Sequence, residues 1–161
     1  MRISIRKIVA TDVADVVGLL HEFAEYEKLS EYCMITEDRL NTAMFSTQPF
    51  VEGLIAFDSA KPIAYALFYP RFSSFSGERG FYLEDIYVAS EYRRQNLGEK
   101  MLCEIARLAR SRGFERIDFL VLDWNTPAVE FYLKHGAERN GDERHFKFAG
   151  RAFDRLSEPL A

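Results

Sequence analysis

The sequence has few metal ligands and no long apolar run. Its 161 residues include two cysteines and three histidines, and Cys33 and Cys103 share no zinc-type spacing with each other or with a histidine. We therefore expect two free thiols and no metal site. No stretch approaches the about 20 apolar residues that a transmembrane helix needs, and the opening "MRISIRKIV" alternates and does not resemble a signal peptide. These absences predict a cytoplasmic protein without a membrane partner.

An excess of basic charge is missing as well. The chain carries 21 lysines and arginines against 25 aspartates and glutamates, for a net charge of −4. Proteins that bind nucleic acid through their overall field are basic, so we expect no nucleic-acid partner. Basic residues are nevertheless dense between Arg93 and Arg116, which leaves a local anion site open.

Hydrophobic patterning predicts one α/β domain over residues 1–161. Alternating or continuous apolar runs predict six strands: "ISIRKIV", "PFVEGLIAF", "PIAYALFY", "FYLEDIYV", "RIDFLVL" and "RHFKFAG". The second and third form an antiparallel hairpin, and the nearly continuous fifth is typical of a central strand that is covered on both faces.

Four helices complete the pattern. Apolar residues recur at helical spacing after the cap residues Thr11 and Asp12, after Thr36, in "LGEKMLCEIARLARSRG" and in "NTPAVEFYLKHG". The resulting order, βααβββαβαβ, predicts a mixed sheet flanked by helices.

The segment "EYRRQNLGEKML", residues 91–102, joins a predicted strand to a helix. The start of a helix presents backbone N–H groups and a positive dipole end, which together bind anions such as pyrophosphate. Gly98 would allow close approach of a ligand, and Arg93 and Arg94 could contact phosphate oxygens. If the turn needs a positive φ at Asn96, asparagine is the best choice after glycine. The same residues also fit the solvated start of a charged helix.

The chain resembles a known superfamily in two motifs. "YLEDIYVASEYRRQNLGEKML" resembles the central motif of the GNAT N-acyltransferases, whose Arg/Gln-x-x-Gly-x-Gly/Ala pattern falls on Arg93, Asn96 and Gly98. "LVLDWNTPAVEFYLKHGAE" resembles the strand–Asn–helix–Tyr motif that follows it. "FAEYEKL", "FYLEDIYV" and "VLDWN" are most similar to the diamine (spermidine/spermine) and thialysine N-acetyltransferases. Asn96 replaces the usual first glycine, and Ser74-Phe75-Ser76 stands where diamine enzymes tend to carry an acid and a tryptophan.

The resemblance implies a GNAT-like fold and an activity. The protein would transfer the acetyl group of acetyl-CoA by direct attack of a primary amine on a small cationic acceptor, which could be a diamine, a polyamine or a lysine-like amino acid. It would act as a homodimer without a metal. Two alternatives remain, a non-catalytic acyl-CoA-binding regulatory module and an enzyme that acts on a protein or peptide amine.

The resemblance also implies the coenzyme site. Backbone amides from Arg94 to Glu99 would hold the pyrophosphate, the backbone near Val88 would pair with the pantetheine arm and donate to the thioester oxygen, and Asn125 would bind the same arm. The implied residues are Ile86, Tyr87, Val88, Arg93, Arg94, Gln95, Asn96, Leu97, Gly98, Glu99, Asn125 and Ala128. Read alone, "IYV" is also a core strand and Asn125 a helix cap.

The chemistry needs a carboxylate, because a primary amine with a pKa of ~10.4 is mostly protonated at neutral pH. We expect Glu84 to be the base, directly or through a water. Asp85 should lie on the opposite face of the strand unless a bulge redirects one of them; it could bind a distal ammonium or be an ordinary surface acid. By resemblance, Tyr26 and Glu27 bind the acceptor.

Tyr132 completes the implied catalytic set. The resemblance makes it the general acid that donates a proton to the leaving thiolate. Taken alone, a tyrosine at an apolar helical position is more often a core residue.

Overall fold

The computed structural model describes residues 2–141 and 143–158, and the chain divides into two compact units, residues 1–120 and 121–161. The first unit contains β1 (Ile3–Lys7), α1 (Val13–Tyr26), α2 (Glu37–Phe45), β2 (Glu52–Asp58), β3 (Lys61–Phe72), β4 (Arg79–Val88), α3 (Leu97–Ser111) and β5 (Arg116–Asp118). The second contains α4 (Thr126–Lys134) and α5 (Arg151–Ser157).

The strands form one mixed sheet in the order β1-β2-β3-β4-β5. The first four are antiparallel to their neighbours, whereas β5 is parallel to β4. The predicted fold class, a mixed sheet flanked by helices, is confirmed. Helix α3 covers one face, with Met101 and Ile105 in its core, and α1 and α2 cover the other, with Val16 and Leu40 in its core.

The centre of this sheet is β3, whose side chains are buried on both faces. Ala64, Ala66 and Phe68 belong to the core under α3, which we call the α3-side core. Tyr65 and Leu67 belong to the core under α1 and α2, the α1-side core. Burial on both faces explains why this segment is a continuous apolar run.

The prediction that "RIDFLVL" is a central strand is wrong. Only Arg116–Asp118 is a strand, it stands at the end of the sheet order, and its three residues are half-buried. Leu120 and Leu122 are exposed. An apolar run therefore did not indicate a central position here.

Two of the predicted helix caps, Thr36 and Asn125, form the capping hydrogen bond, and a third, Asp12, does not. The Thr36 hydroxyl accepts a hydrogen bond from Arg39 N (3.2 Å), and Asn125 Oδ1 accepts one from Ala128 N (3.3 Å). Asp12 precedes α1, but its carboxylate binds the Arg6 guanidinium at 2.6 and 2.8 Å. This pairing holds the pKa of Asp12 below its usual value.

The prediction that "RHFKFAG" forms the last strand is also wrong. Within the described residues 143–149 no strand forms, and α5, which the sequence analysis did not predict, begins directly after Gly150. Phe146 and Phe148 are 83% and 69% exposed. Alternation shows which side chains would share a face, but a strand also needs a neighbouring strand to pair with.

Candidate active site

The loop before α3 contains two non-glycine residues with a positive φ. Asn96 has a φ of +58°, so the turn does need the left-handed conformation for which asparagine is the best choice after glycine, and Arg94 has a φ of +62°, which was not anticipated. The first intrahelical hydrogen bond of α3 runs from Lys100 N to Asn96 O (3.0 Å). The N–H groups of residues 97–99 therefore precede the first intrahelical donor, at the positive end of the helix dipole.

The side chain of Arg93 is turned back toward the sheet. Its Nε donates to Val88 O (2.9 Å), and its guanidinium carbon lies 4.2 Å from the ring centre of Tyr26 and 5.4 Å from that of Tyr87. Through these contacts, the Arg93 side chain connects the loop to β4 and to the end of α1. Arg94 is exposed, so its charge remains accessible to an anion.

The second half of β4 extends beyond its pairing with β5. That pairing comprises Gly80–Tyr82 with Arg116–Asp118. On the other edge, Ala89 N donates to Ile63 O of β3 (2.9 Å). Successive residues of a strand direct their N–H groups to opposite edges, so the N–H groups of Val88 and Ile86 are directed away from β3.

The intervening residue, Tyr87, is placed differently. Its backbone is directed toward β3 by the same alternation, and its side chain packs in the α1-side core. Its hydroxyl donates to Glu22 of α1 (3.4 Å). Of the three β4 residues assigned to the coenzyme, Ile86 and Val88 thus have suitable backbone groups and Tyr87 acts in packing.

A β-bulge lies between the two carboxylates of "YLED". The register with β3 changes from Leu67↔Asp85 to Phe68↔Leu83, so Glu84 is the additional residue. Leu83 and Ile86 accordingly both contact the α3-side core, although they are three residues apart. The sequence predicts opposite faces for Glu84 and Asp85 unless a bulge redirects one of them, and the structure contains that bulge.

Two tyrosines of β3 confirm that both carboxylates face α1. The Tyr65 hydroxyl lies 3.4 Å from Asp85 Oδ2, and the Tyr69 hydroxyl lies 3.2 Å from Glu84 Oε2. Tyr65 and Tyr69 are four residues apart on β3 and therefore share a face. Neither tyrosine was predicted as a site residue, although their even spacing in "YALFY" places both on one face.

Glu27, at the end of α1, interacts electrostatically with Asp85 of β4. Burial, followed by the charges of Glu84 and Glu27, raises the pKa of Asp85 to about 7, against the hydrogen bond from Tyr65. Burial and the charge of Glu84 raise the pKa of Tyr69 to about 12. We call Glu27, Glu84 and Asp85 the carboxylate cluster. Mutual repulsion of this kind is relieved by a cation.

The second unit carries the remaining predicted residues on one helix. Asn125, which is 5% exposed, caps α4, and Ala128 and Tyr132 follow at spacings of three and four, so the three share a face. Tyr132 is half-buried, and its ring centre lies 5.2 Å from that of Phe131. Asn125 is thus the helix cap that its alternative interpretation predicted.

Three further findings concern the cysteines, groups of metal-ligating side chains and membrane-spanning helices. Cys33 and Cys103 are free thiols, as expected. Within residues 2–141 and 143–158, no three His, Cys, Asp or Glu side chains are grouped so that they could hold a metal ion. No helix in that part of the chain is long and apolar enough to cross a membrane.

Comparisons with known proteins identify the family. The model of the acetyltransferase (GNAT) family matches residues 17–137, and the chain belongs to this family. It is accordingly an acyl-CoA-dependent N-acetyltransferase. The matched segment includes the β4 bulge, the loop before α3 and α4, and so runs across the boundary between the two units.

Individual relatives agree with this assignment. The chain is 35% identical to a thialysine N-epsilon-acetyltransferase of Bos taurus, over 96% of this chain and 97% of the relative. It is 26% identical to the L-ornithine N5-acetyltransferase NATA1 of Arabidopsis thaliana, over 96% and 87%. An integron cassette protein of V. cholerae has the same fold, with a TM-score of 0.82, 21% identity and coverage of 99% of both chains.

Proposed function

We propose that the protein transfers the acetyl group of acetyl-CoA to a side-chain or terminal primary amine of a small dicationic acceptor, of the diamine, polyamine or lysine-like class. The observation that carries this proposal is the bulge at Glu84, because it brings Glu84 and Asp85 to the same face of β4. Two carboxylates there, with Glu27 close enough to raise the pKa of Asp85, favour an acceptor with more than one positive charge.

Coenzyme binding in this proposal depends mainly on the backbone. The N–H groups that precede the first intrahelical donor of α3 bind the pyrophosphate, and the exposed Arg94 adds charge. The outward-directed backbone of Ile86 and Val88 pairs with the pantetheine arm. On α4, Asn125 and Ala128 contribute contacts to the same arm, as the resemblance implies.

The reaction then follows from the assigned groups. Glu84 accepts a proton from the reacting ammonium, and the neutral amine attacks the thioester carbon. The Val88 N–H stabilises the resulting oxyanion. As the carbon–sulfur bond breaks, the Tyr132 hydroxyl donates a proton to the sulfur. The nitrogen releases its surplus proton to solvent, and the tyrosinate regains a proton from solvent. Asp85, Glu27 and Tyr26 hold the second cationic end of the acceptor.

The acceptor class is supported by the relatives. The two relatives described above are acetyltransferases of thialysine and of L-ornithine, which are amino acids with a side-chain amine. The exposed Phe75, between two serines at the tip of the β3–β4 hairpin, stands where the resemblance implies that diamine enzymes tend to carry an acid and a tryptophan. Both observations favour a lysine-like amino acid over a polyamine.

An amine panel tests the proposal. Thiol release from acetyl-CoA should depend on acceptor, with higher kcat/KM for thialysine, ornithine or lysine than for spermidine, a diamine or a peptide amine. Coenzyme binding without acceptor-dependent thiol release would favour the regulatory module. A preference for the peptide amine would favour the protein-modifying alternative.

We further propose that the enzyme is a cytoplasmic homodimer and has no nucleic-acid or membrane partner. The free thiols are typical of a reducing compartment, and dimerisation follows from the resemblance to diamine acetyltransferases. Light scattering should give twice the chain mass, and a monomeric mass for an active enzyme would contradict the dimer.

A further inference from the structure

The two tyrosine–carboxylate pairs differ in depth. Tyr65 is completely buried in the α1-side core, and its partner Asp85 is half-buried. Tyr69 is half-buried, and its partner Glu84 is exposed. The same pair of functional groups therefore occurs twice on one sheet face, once inside the protein and once near the solvent.

Depth changes what the hydroxyl does for its carboxylate. A solvated carboxylate can obtain hydrogen bonds from water, whereas a carboxylate that has lost part of its water depends on protein donors. The hydroxyl of Tyr65 supplies such a donor to Asp85. A hydrogen bond to the charged form favours ionisation.

The other groups around Asp85 and Tyr65 act mostly in the opposite direction. The charges of Glu84 on β4 and Glu27 at the end of α1 oppose ionisation of Asp85. The charge of Cys33, which follows α1 in the chain, contributes to raising the pKa of Tyr65. Among nearby side chains, the guanidinium of Arg93 is stacked on Tyr26 and Tyr87, and Glu22 accepts from Tyr87.

We propose that Tyr65 is a positioning residue of the acceptor site, whose hydroxyl holds Asp85 in the ionised form that binds one ammonium group of the acceptor. This inference rests on the proposed function and assigns the pH dependence of acceptor binding to one hydroxyl. When Asp85 is protonated, binding of the ammonium releases the carboxyl proton to solvent, and the acceptor keeps its own proton. Acceptor binding therefore strengthens as the pH rises through the pKa of Asp85.

The test compares Tyr65→Phe with Tyr69→Phe, the same change on the same strand and face. We expect Tyr65→Phe to move the midpoint of the acceptor KM–pH profile upward by about one pH unit, the size typical of a hydrogen bond to a charged group. The kcat at high pH and saturating acceptor should stay near that of the wild type. Tyr69→Phe should leave this midpoint in place, because its hydroxyl contacts Glu84.

The outcomes separate the inference from the function on which it rests. Wild-type protein without acceptor-dependent thiol release would overturn the proposed function. Active wild type, together with a Tyr65→Phe profile that loses activity evenly at every pH and keeps its midpoint, would mean that Tyr65 only packs the core and would overturn the inference.

A binding measurement covers the case in which Tyr65→Phe does not fold. Thialysine is titrated into the protein without acetyl-CoA near pH 7, in two buffers of different ionisation enthalpy, so that the released protons are counted. The wild type should release a fraction of a proton, and Asp85→Asn should abolish that release. Unchanged proton release in Asp85→Asn would overturn the inference independently of catalysis.

Discussion

The loop before α3 and the carboxylate cluster lie in the same 120-residue unit but depend on different parts of the chain. The loop offers backbone N–H groups, so its function depends on φ values such as the +58° of Asn96. The cluster offers side-chain charge, so its function depends on the bulge and on burial. A backbone site tolerates sequence change as long as the conformation is kept, which explains how Asn96 can replace a glycine. A charge site tolerates little change, and we expect larger effects there.

Removal of the proposed base should have the largest effect. Glu84→Gln keeps the shape and the contact with the Tyr69 hydroxyl but removes the proton acceptor, and we expect kcat/KM to fall by about 100-fold at neutral pH, a typical contribution of general base catalysis. The loss should be greatest at low pH, where fewer acceptor amines are neutral. A pH–rate profile measures this effect.

The matched control for this variant is Glu78→Gln, which removes a carboxylate from the hairpin before β4. It should leave the rate unchanged. An equal drop for Glu84→Gln at every pH would argue against its role as a base.

Asp85 should reduce the stability of the fold progressively as the pH rises from its reference pKa of 3.8 to its folded-state pKa of about 7. Its pKa is about 7 in the folded protein and 3.8 in the reference state, so between these values the folded state binds more protons and the free energy of unfolding falls as the pH rises. At pH 8 the penalty is fully present. Asp85→Asn should therefore be more stable than the wild type at pH 8, by on the order of 2 kcal/mol after allowance for partial exposure, and nearly equal to it at pH 4.

Denaturant unfolding at both pH values measures this difference. Asp123→Asn is the control, because the Asp123 side chain is 96% exposed, and it should be neutral at both. Equal stability of Asp85→Asn and wild type at pH 8 would show that the carboxylate is adequately solvated, and would remove the contrast between the cluster and the loop.

Removal of the proposed general acid should lower the rate less than removal of the base does. Tyr132→Phe removes one hydroxyl from α4, and we expect kcat to fall by at least ~10-fold, the low end of acid–base contributions, because a thiol pKa of ~8.5 makes thiolate a workable leaving group without assistance. Turnover is measured at saturating acetyl-CoA and acceptor. Tyr82→Phe, outside the proposed mechanism, is the control, and unchanged kcat in Tyr132→Phe would exclude Tyr132 from the mechanism.

The two regions also differ in how far the sequence predicted them. The positive φ at Asn96 was predictable because few residues other than glycine adopt it readily. The shared face of Glu84 and Asp85 was not predictable from alternation, because a bulge depends on how β3 and β4 align along their length. The even spacing of Tyr65 and Tyr69 predicts that they share a face, but which carboxylate each contacts is set by that register.

The strands of the fold likewise differ in whether the sequence predicted them correctly. The runs that became β2, β3 and β4 were predictable because β3 and its neighbours bury apolar side chains. "RIDFLVL" and "RHFKFAG" carry comparable patterns, yet three residues of the first are a strand and the described part of the second has none. The local hydrophobic pattern indicates that a segment prefers the strand conformation. Strand formation also requires a partner strand that lies far away in sequence.

Asn96 gives the smallest expected effect and the most direct test of a backbone site. Asn96→Gly permits the same left-handed conformation, so coenzyme A should bind as tightly as in the wild type or somewhat more tightly. Asn96→Ala should weaken binding or stability by about 1 kcal/mol, because a Cβ without a local hydrogen-bonding group disfavours that conformation. Calorimetric Kd values for coenzyme A measure both. If Asn96→Gly instead loses most of its affinity, the amide side chain itself contacts the ligand, and the loop would depend on side-chain chemistry just as the carboxylate cluster does.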